Sequence, residues 1–194
     1  PNFANEISVP VLKRLALDCP RIVGTKDTSN DFSRFQRILH EIKSQRPDFA
    51  ALIGWEELLC TAMFMGADGG TVSSSGVVPE VLMKIYNESV AGNWDSAKQA
   101  QFKLLDLFSL MVNAPNFPEG FRAGYQVRGF DTGHARFPLS PEERNLMDDI
   151  RGRIACVLTE CGFSEAASLC KCATNTDQNR VAVEAIVRDV MRKL

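Results

Sequence analysis

The first ninety residues alternate short apolar runs with longer segments in which hydrophobic residues recur at helical spacing. The predicted strands occupy positions 21–26, 49–54 and 69–74; the first two contain apolar runs, and the third is Gly-Gly-Thr-Val-Ser-Ser. Between the runs, hydrophobic residues return every third or fourth position, as on the buried face of an amphipathic helix. Apolar strands joined by helices predict a parallel sheet covered on both faces, so the fold class is α/β.

The second half of the chain changes character and carries helical patterns without apolar strand runs. One long helical segment begins at Asn93, and a link rich in proline, glycine and phenylalanine follows at 113–130. Ser140, followed by Pro-Glu-Glu, is a strong helix start for a segment that reaches Leu158. A last helix is predicted at about 179–193.

Three parallel strands by themselves would leave two open sheet edges, which favour aggregation unless further strands cover them. The chain is therefore interpreted as the end of a closed (β/α) barrel followed by a helical extension, with a small open α/β sheet as the alternative. We predict a barrel portion over residues 1–92 and a helical carboxyl-terminal extension over 93–194. Because the chain begins at Pro1, a preceding segment is expected.

Composition narrows the classes of partner and the redox environment. With a net charge of −2 and 24% charged residues, the sequence gives no reason to expect nucleic acid as a partner. It has no apolar stretch long enough for a bilayer, so no membrane partner is expected. The cysteines fit neither a zinc-ligand spacing nor a compact secreted framework, which favours reduced, mostly buried thiols and a cytoplasmic protein. They are Cys19, Cys60, Cys156, Cys161, Cys170 and Cys172.

Lys26 is the first candidate for chemistry, because it closes an apolar run at the predicted carboxyl end of a buried strand. Burial of an amine lowers its pKa, and a neutral amine is a nucleophile that forms a Schiff base with a ketone. The alternative is an ordinary lysine whose amine extends from the strand end into solvent.

The other candidates stand where residues of a parallel barrel share one mouth, just past the carboxyl ends of the strands. We expect an amine, two carboxylates and several hydroxyls there, a set suited to a hydroxylated substrate that carries a carbonyl group. The alternation of side chains along a strand would also place Ser75 on the same face as Thr71 and Ser73. The predicted mouth residues are Lys26, Thr28, Gly54, Glu56, Glu57, Thr71 and Ser73.

Each of these signals also has a purely structural interpretation. Glu56 and Glu57 can be first-turn residues that the positive end of a helix stabilises. The serines that follow Val72 can serve only to cap the next helix. Their specificity comes from their occurrence together, each after its own strand.

Three segments together resemble the dihydrodipicolinate synthase and N-acetylneuraminate lyase family of class I aldolases. The resemblance implies a (β/α)8 TIM barrel, of which this chain supplies the last three strands, with Lys26 as the Schiff-base lysine on the sixth. It also implies an imine with pyruvate or another 2-oxo acid, no metal or organic cofactor, and a homotetramer. The segments are Val23-Gly24-Thr25-Lys26-Asp27-Thr28-Ser29, Ile53-Gly54-Trp55-Glu56-Glu57 and Gly66-Ala67-Asp68-Gly69-Gly70-Thr71-Val72-Ser73-Ser74.

The same resemblance implies that part of the catalytic set lies upstream of this sequence. Pro1 resembles the proline of the family's Tyr-Asn-x-Pro segment, so the proton-relay tyrosine and the carboxylate-binding loop would precede it. Neither Tyr86 nor Tyr125 occupies the position of that tyrosine.

Two details of the resemblance favour the lyase branch. Phe3 stands where the synthases carry an arginine, and Gly54-Trp55-Glu56-Glu57 resembles the lyases, although Glu56 replaces their usual aspartate. The expected function is a lyase that cleaves or forms a carbon–carbon bond in a 2-oxo sugar acid, with pyruvate as product or substrate. The alternatives are a synthase or dehydratase of the same family, and a non-catalytic binding protein derived from the barrel. The implied substrate-binding residues are Thr28, Gly54, Glu56, Glu57, Thr71 and Ser73.

Overall fold

A parallel three-stranded sheet forms the centre of the amino-terminal part of the chain, as the sequence predicts. The computed structural model describes residues 5–170. Its strands, β1 (Gly24–Asp27), β2 (Ala50–Ile53) and β3 (Gly69–Gly70), lie side by side in chain order. Lys26 is opposite Leu52 in the register, and Leu52 is opposite Gly69.

The third strand is shorter than the predicted strand at 69–74. After Gly70 the backbone leaves the sheet, and Ser73–Gly76 forms a 3-10 turn. Side-chain alternation requires an extended backbone, so the expectation that Thr71, Ser73 and Ser75 share one strand face is wrong.

Helices precede the strands, connect them and follow them. Pro10 stands in the first turn of one helix and Pro79 begins another, where a missing backbone N–H costs nothing. Asp31 caps a third helix by accepting a hydrogen bond from Arg34 N at 2.9 Å. In chain order the helices are α1 (Val9–Asp18), α2 (Phe32–Ile38) with a π-helical continuation (Leu39–Lys43), a 3-10 turn (Glu56–Leu58) leading into α3 (Leu59–Phe64), α4 (Pro79–Val90) and α5 (Trp94–Val112).

The core of this part lies between the sheet and its helices. In β2, Ala51 and Ile53 are buried while Ala50 and Leu52 remain half-buried, so alternate side chains of the strand point toward the helices. From α2 and its continuation, Phe35, Ile38 and Ile42 are completely buried at helical spacing.

Two cations hold the connections that lead into the sheet. Arg46 donates hydrogen bonds to the carbonyls of Ala16 at 2.5 Å and Ile22 at 2.7 Å, on either side of the turn before β1. Lys43 contacts Asp68 at 2.6 Å, and the same carboxylate accepts the Ala51 N–H at 2.8 Å. These contacts fix the segments before β1 and β3.

The chain divides into two compact units, the first ending at Asn113 and the second beginning at Ala114. Helix α5 belongs to the first unit, and the predicted division between residues 92 and 93 stays a prediction. The second unit contains α6 (Glu119–Val127), α7 (Pro141–Glu160) and a 3-10 turn (Ser164–Leu169). The helix predicted at about 179–193 lies outside the described residues.

The second unit confirms the predicted start of one helix and contradicts the prediction of a link over 113–130. Ser140 and Glu143 form a reciprocal capping box at the start of α7, where the sequence predicts it. In contrast, α6 occupies part of the stretch predicted to be a link. Phe121, Ala123 and Val127 are buried on this helix, so tertiary packing outweighs the low helix propensity of its glycines.

The expectation of reduced thiols is wrong for Cys156 and Cys170, and the expectation of mostly buried thiols is wrong for Cys19 and Cys60. Cys156 of α7 and Cys170 form a disulfide across 14 residues of sequence, because the 3-10 turn returns the chain to that helix. Cys19 and Cys60 are only half-buried. Among residues 5–170, no helix has the length and hydropathy needed to cross a membrane.

Candidate active site

The carboxyl ends of β1 and β2 bring together three of the predicted site residues. The amide of Gly54 donates to the carbonyl oxygen of Asp27 at 2.7 Å, which continues the pairing of the two strands beyond β2. A Cβ atom at position 54 would lie 2.7 Å from Lys26 Cε and would overlap Thr28 Oγ1. The side chains of Lys26 and Thr28 therefore occupy the space where a side chain at Gly54 would lie.

Trp55 adds a second connection between the same two strand ends. Its indole Nε1–H donates to the carbonyl oxygen of Thr28 at 2.9 Å. This bond and the Gly54 amide hold the backbone of residues 27 and 28 from the side of β2. The side chains of Lys26 and Thr28 thus project from a backbone that is fixed on both strands.

Lys26 differs from the sequence prediction in its exposure. The prediction of a desolvated amine is wrong for this structure, because the Lys26 side chain is exposed. Lys26 lies on β1, an edge strand of the described sheet, and its neighbour Asp27 points to the opposite, buried side.

Asp27 is a buried carboxylate directly beside the lysine. One of its oxygens accepts the Ser29 N–H at 2.8 Å, and the other accepts Arg34 Nε–H of α2 at 2.9 Å. Arg34 also contacts Glu6 at 3.2 Å. A charge-assisted pair of this kind ties the end of β1 to the beginning of α2 and so orients the turn that carries Thr28.

Glu56 is the more buried of the two predicted carboxylates, Glu56 and Glu57, with 2% of its surface exposed. Its Oε1 atom accepts hydrogen bonds from Ser74 N at 2.9 Å and from Ser74 Oγ at 3.1 Å. The backbone oxygen of Glu56 accepts Gln101 Nε2–H at 2.8 Å. These contacts join the end of β2, the turn after β3 and helix α5.

The remaining predicted residues are exposed. Glu57, Thr71 and Ser73 all have solvent-accessible side chains, and the Thr71 amide donates to Ile53 O at 2.9 Å. Thr71 is thereby held beside the end of β2. The structure thus offers a carboxylate and two hydroxyls at the same edge of the sheet as Lys26.

Sequence reasoning did not single out Asp27, Ser74 or Gln101. Ser74 is one of three consecutive serines, and nothing in the sequence distinguishes the buried one from its neighbours. A signal for Gln101 does exist, since this amide interrupts the apolar positions of α5 between Ala97 and Leu104.

A cavity of about 410 Å³ lies beside β3 and α4, not at Lys26. Leu52, Leu82 and Met83 make its lining largely apolar, and Tyr86 and Ser75 contribute hydroxyls. Tyr86 of α4 lines this cavity, and the expectation that Tyr86 is not the proton-relay tyrosine stays a prediction. Over residues 5–170, no three His, Cys, Asp or Glu side chains cluster as a metal site would require.

Parallel strands joined by helices, with a lysine at the carboxyl edge of the sheet, are the architecture of part of an α/β barrel protein. The chain belongs to the dihydrodipicolinate synthetase family, whose model matches residues 3–155.

Similar proteins of known sequence support this assignment. An uncharacterized DapA-like lyase of Thermofilum pendens is 31% identical over 160 residues, which cover 81% of this chain and 52% of that protein. A probable 2-dehydro-3-deoxy-D-pentonate aldolase of Escherichia coli, YjhH, is 31% identical over 102 residues, or 53% of this chain and 34% of that protein. The chain spans about half the length of the first of these relatives.

The solved structures show the fold. YagE of Escherichia coli, a prophage protein of the dihydrodipicolinic acid synthase family solved in complex with pyruvate, superposes with a TM-score of 0.70 at 20% identity. The match covers 79% of this chain and 52% of that one. The described sheet and helices therefore correspond to part of a TIM barrel, followed by a helical extension.

Proposed function

We propose that the protein is a class I aldolase that cleaves or forms a carbon–carbon bond in a 2-oxo sugar acid, with pyruvate as product or substrate. The observation that carries the proposal is the placement of the Lys26 side chain over Gly54 and beside Thr28, at the carboxyl edge of the sheet. Membership of the dihydrodipicolinate synthetase family supports a lyase.

In the proposed reaction the Lys26 amine attacks the 2-oxo carbon, and loss of water leaves a protonated imine. The imine withdraws the electron pair of the bond between C3 and C4, which breaks as the C4 hydroxyl gives up its proton. An aldehyde leaves, and the enamine that remains takes a proton at C3. Hydrolysis then releases pyruvate and the free amine, and the reverse sequence forms the bond.

The polar residues at this edge of the sheet would bind the hydroxylated end of the substrate. We assign Thr28, Glu57, Thr71 and Ser73 to this role and Gly54 to leaving space for the reacting carbons. YjhH, named for a deoxy sugar acid aldolase, and YagE, solved with pyruvate, support this substrate class. Glu56 is not assigned to this role, because it is buried and its carboxylate accepts hydrogen bonds from Ser74.

The proposal concerns the complete enzyme, since the chain covers about half of the relatives. An upstream tyrosine would relay protons, and an upstream loop would bind the carboxylate of the 2-oxo acid. A homotetramer in the cytoplasm stays a prediction.

Trapping of the imine tests the proposal directly. The full-length protein is incubated with pyruvate and borohydride, and the added mass is located by peptide mapping. We expect one reduced adduct on Lys26, none in Lys26→Ala, and an unchanged adduct in Lys84→Ala, which removes an exposed lysine of α4. A folded full-length protein without an adduct would contradict the aldolase and leave a non-catalytic binding protein as the better interpretation.

The bond chemistry needs its own assay, because a synthase or a dehydratase would form the same imine. Incubation with 2-dehydro-3-deoxy-D-pentonate should release pyruvate and an aldehyde in equal amounts. Release of water without an aldehyde would indicate a dehydratase.

A further inference from the structure

The contacts of Glu56 differ from those of its neighbour Glu57, although both follow the same strand. Glu56 is 2% exposed and its Oε1 accepts two hydrogen bonds from Ser74, whereas Glu57 is exposed and its side chain forms no hydrogen bond within residues 5–170. A carboxylate removed from water is costly unless its oxygens are paired. Ser74 supplies that pairing, and its own side chain is completely buried.

Gln101 extends this contact into a connection among three elements. Its Nε2 donates to the Glu56 carbonyl oxygen at 2.8 Å, and its Oε1 accepts the Cys60 N–H at 2.9 Å. Helix α5 thereby holds the backbone of the 3-10 turn that contains Glu56. The Glu56 side chain in turn holds the other 3-10 turn, Ser73–Gly76, by accepting hydrogen bonds from the backbone N–H and the hydroxyl of Ser74.

We propose that Glu56 is a positioning residue that fixes Ser73 and Glu57 relative to each other for the hydroxylated end of the substrate. This inference rests on the proposed function and replaces the expectation that Glu56 itself binds sugar hydroxyls. Ser73 directly precedes the residue that Glu56 holds, and Glu57 directly follows Glu56. A displacement of Ser74 would therefore move Ser73 away from Glu57.

Amide hydrogen exchange tests the contact without any need for activity. In the full-length protein, peptides covering residues 71–78 should exchange slowly at Ser74. We expect faster exchange in Glu56→Ala and protection close to wild type in Glu56→Gln, whose amide oxygen accepts the same two bonds. Glu57→Ala is the matched control and should leave the exchange of Ser74 unchanged. Equal exchange in Glu56→Ala and wild type would overturn the proposal.

Ser74→Ala is the second variant, in case Glu56→Ala does not fold. It removes the hydroxyl and keeps the backbone donor, so we expect an intermediate increase in exchange over residues 71–78. Exchange that is unchanged in this variant, when Glu56→Ala is unfolded, would contradict the proposed contribution of the Ser74 hydroxyl.

Kinetics then separate positioning from direct binding. With 2-dehydro-3-deoxy-D-pentonate as substrate, Glu56→Ala should lower kcat/KM about ten- to hundredfold, and Glu56→Gln should recover most of that loss. The double variant Glu56→Ala/Ser74→Ala should be no worse than Glu56→Ala, because both changes break one contact. Trapping of pyruvate on Lys26 should persist in all three.

Failure of this inference is distinguishable from failure of the proposed function. If wild-type protein forms no pyruvate adduct, the aldolase proposal fails, while hydrogen exchange still decides whether Glu56 holds Ser74. If wild-type protein is active and Glu56→Gln loses as much activity as Glu56→Ala with Ser74 still protected, Glu56 is a direct ligand and the positioning role is wrong.

Discussion

Lys26 and Gly54 lie against each other across the ends of two neighbouring strands. A Cβ atom on residue 54 would approach Lys26 Cε to 2.7 Å, a separation that real Cβ contacts essentially never show. The backbone dihedrals of Gly54 do not require glycine, since it is absent from the glycines with positive φ. Space for the Lys26 and Thr28 side chains is therefore the reason for a glycine at this position.

Gly54→Ala should consequently impair the site before it impairs the fold. The new methyl group would overlap Thr28 Oγ1, press on Lys26 Cε and lie 2.9 Å from the Asp27 carbonyl oxygen. We expect loss of the pyruvate adduct on Lys26 and a decrease of about 1–3 kcal/mol in the free energy of unfolding, typical of overpacking. Borohydride trapping and urea denaturation of the full-length protein measure the two effects.

The double variant Gly54→Ala/Thr28→Ala is the matched control for this steric argument. Removal of the Thr28 hydroxyl relieves the shortest contact, so the double variant should be more stable than the sum of the single changes predicts. Strict additivity of the two changes would contradict a steric role for Gly54.

Asp27 and Arg34 should contribute to stability as a pair. Asp27→Ala leaves the Arg34 guanidinium, whose side chain is 14% exposed, with the exposed Glu6 as its one acidic partner among residues 5–170. We expect a loss of about 3 kcal/mol in the free energy of unfolding, since breaking a buried ion pair leaves an uncompensated charge. Chemical denaturation of the single variants provides the measurement.

Simultaneous replacement of both partners tests the origin of that loss. Asp27→Ala/Arg34→Met also removes the guanidinium charge that Asp27→Ala leaves without its partner. The double variant should therefore be more stable than Asp27→Ala. The pair of Arg37 on α2 and Glu41 on its π-helical continuation, with side chains 57% and 28% exposed, offers a control, where Glu41→Ala should cost less than about 1 kcal/mol. A double variant less stable than Asp27→Ala would argue against an uncompensated charge.

The sequence predicts the strands and most helices because their signals are local. Apolar runs identify β1 and β2, the regular alternation with helices indicates β3, and the Ser140–Glu143 capping box identifies the start of α7. The length of β3 and the helix α6 escape prediction, because both depend on contacts made after the chain folds. Three consecutive serines read as strand or turn with equal ease, and only burial of Ser74 beneath Glu56 decides between them.

The site is predicted in its residues but not in their environments. Strand ends place Lys26, Thr28 and Gly54 together without any knowledge of side-chain contacts. The exposure of these side chains depends on neighbouring strands. The exposed position of Lys26 therefore could not be predicted from the segment 21–26 that contains it. The different hydrogen bonding of the neighbouring carboxylates Glu56 and Glu57 likewise depends on Ser74, which is remote in sequence.

The disulfide between Cys156 and Cys170 should stabilise the second unit. Closure of a loop of about 15 residues is worth about 3 kcal/mol in the chain-entropy model, so dithiothreitol should lower the melting temperature of wild-type protein. Cys170→Ser should melt at the lower temperature with or without the reductant. Alkylation of unreduced, unfolded wild-type protein followed by mass mapping provides the direct measurement, and label on both cysteines would contradict the bond.

Glu142, in the first turn of α7, should make the stability of the second unit depend on pH. A hydrogen bond from its own backbone amide, and then one from the Ser140 hydroxyl, hold the pKa of the Glu142 carboxyl below its ordinary value. A carboxyl with a lowered pKa in the folded protein contributes stability that is present above its unfolded pKa of about 4.3 and is lost as pH falls through the folded pKa. Glu142→Gln should therefore be less stable than wild type at pH 7, and the difference should disappear once the pH falls below the folded pKa. Thermal unfolding followed by circular dichroism across this range provides the measurement, and the low-pH end serves as the internal control. A difference that stays constant down to the lowest pH would indicate an effect of shape or helix propensity and not of the carboxylate charge.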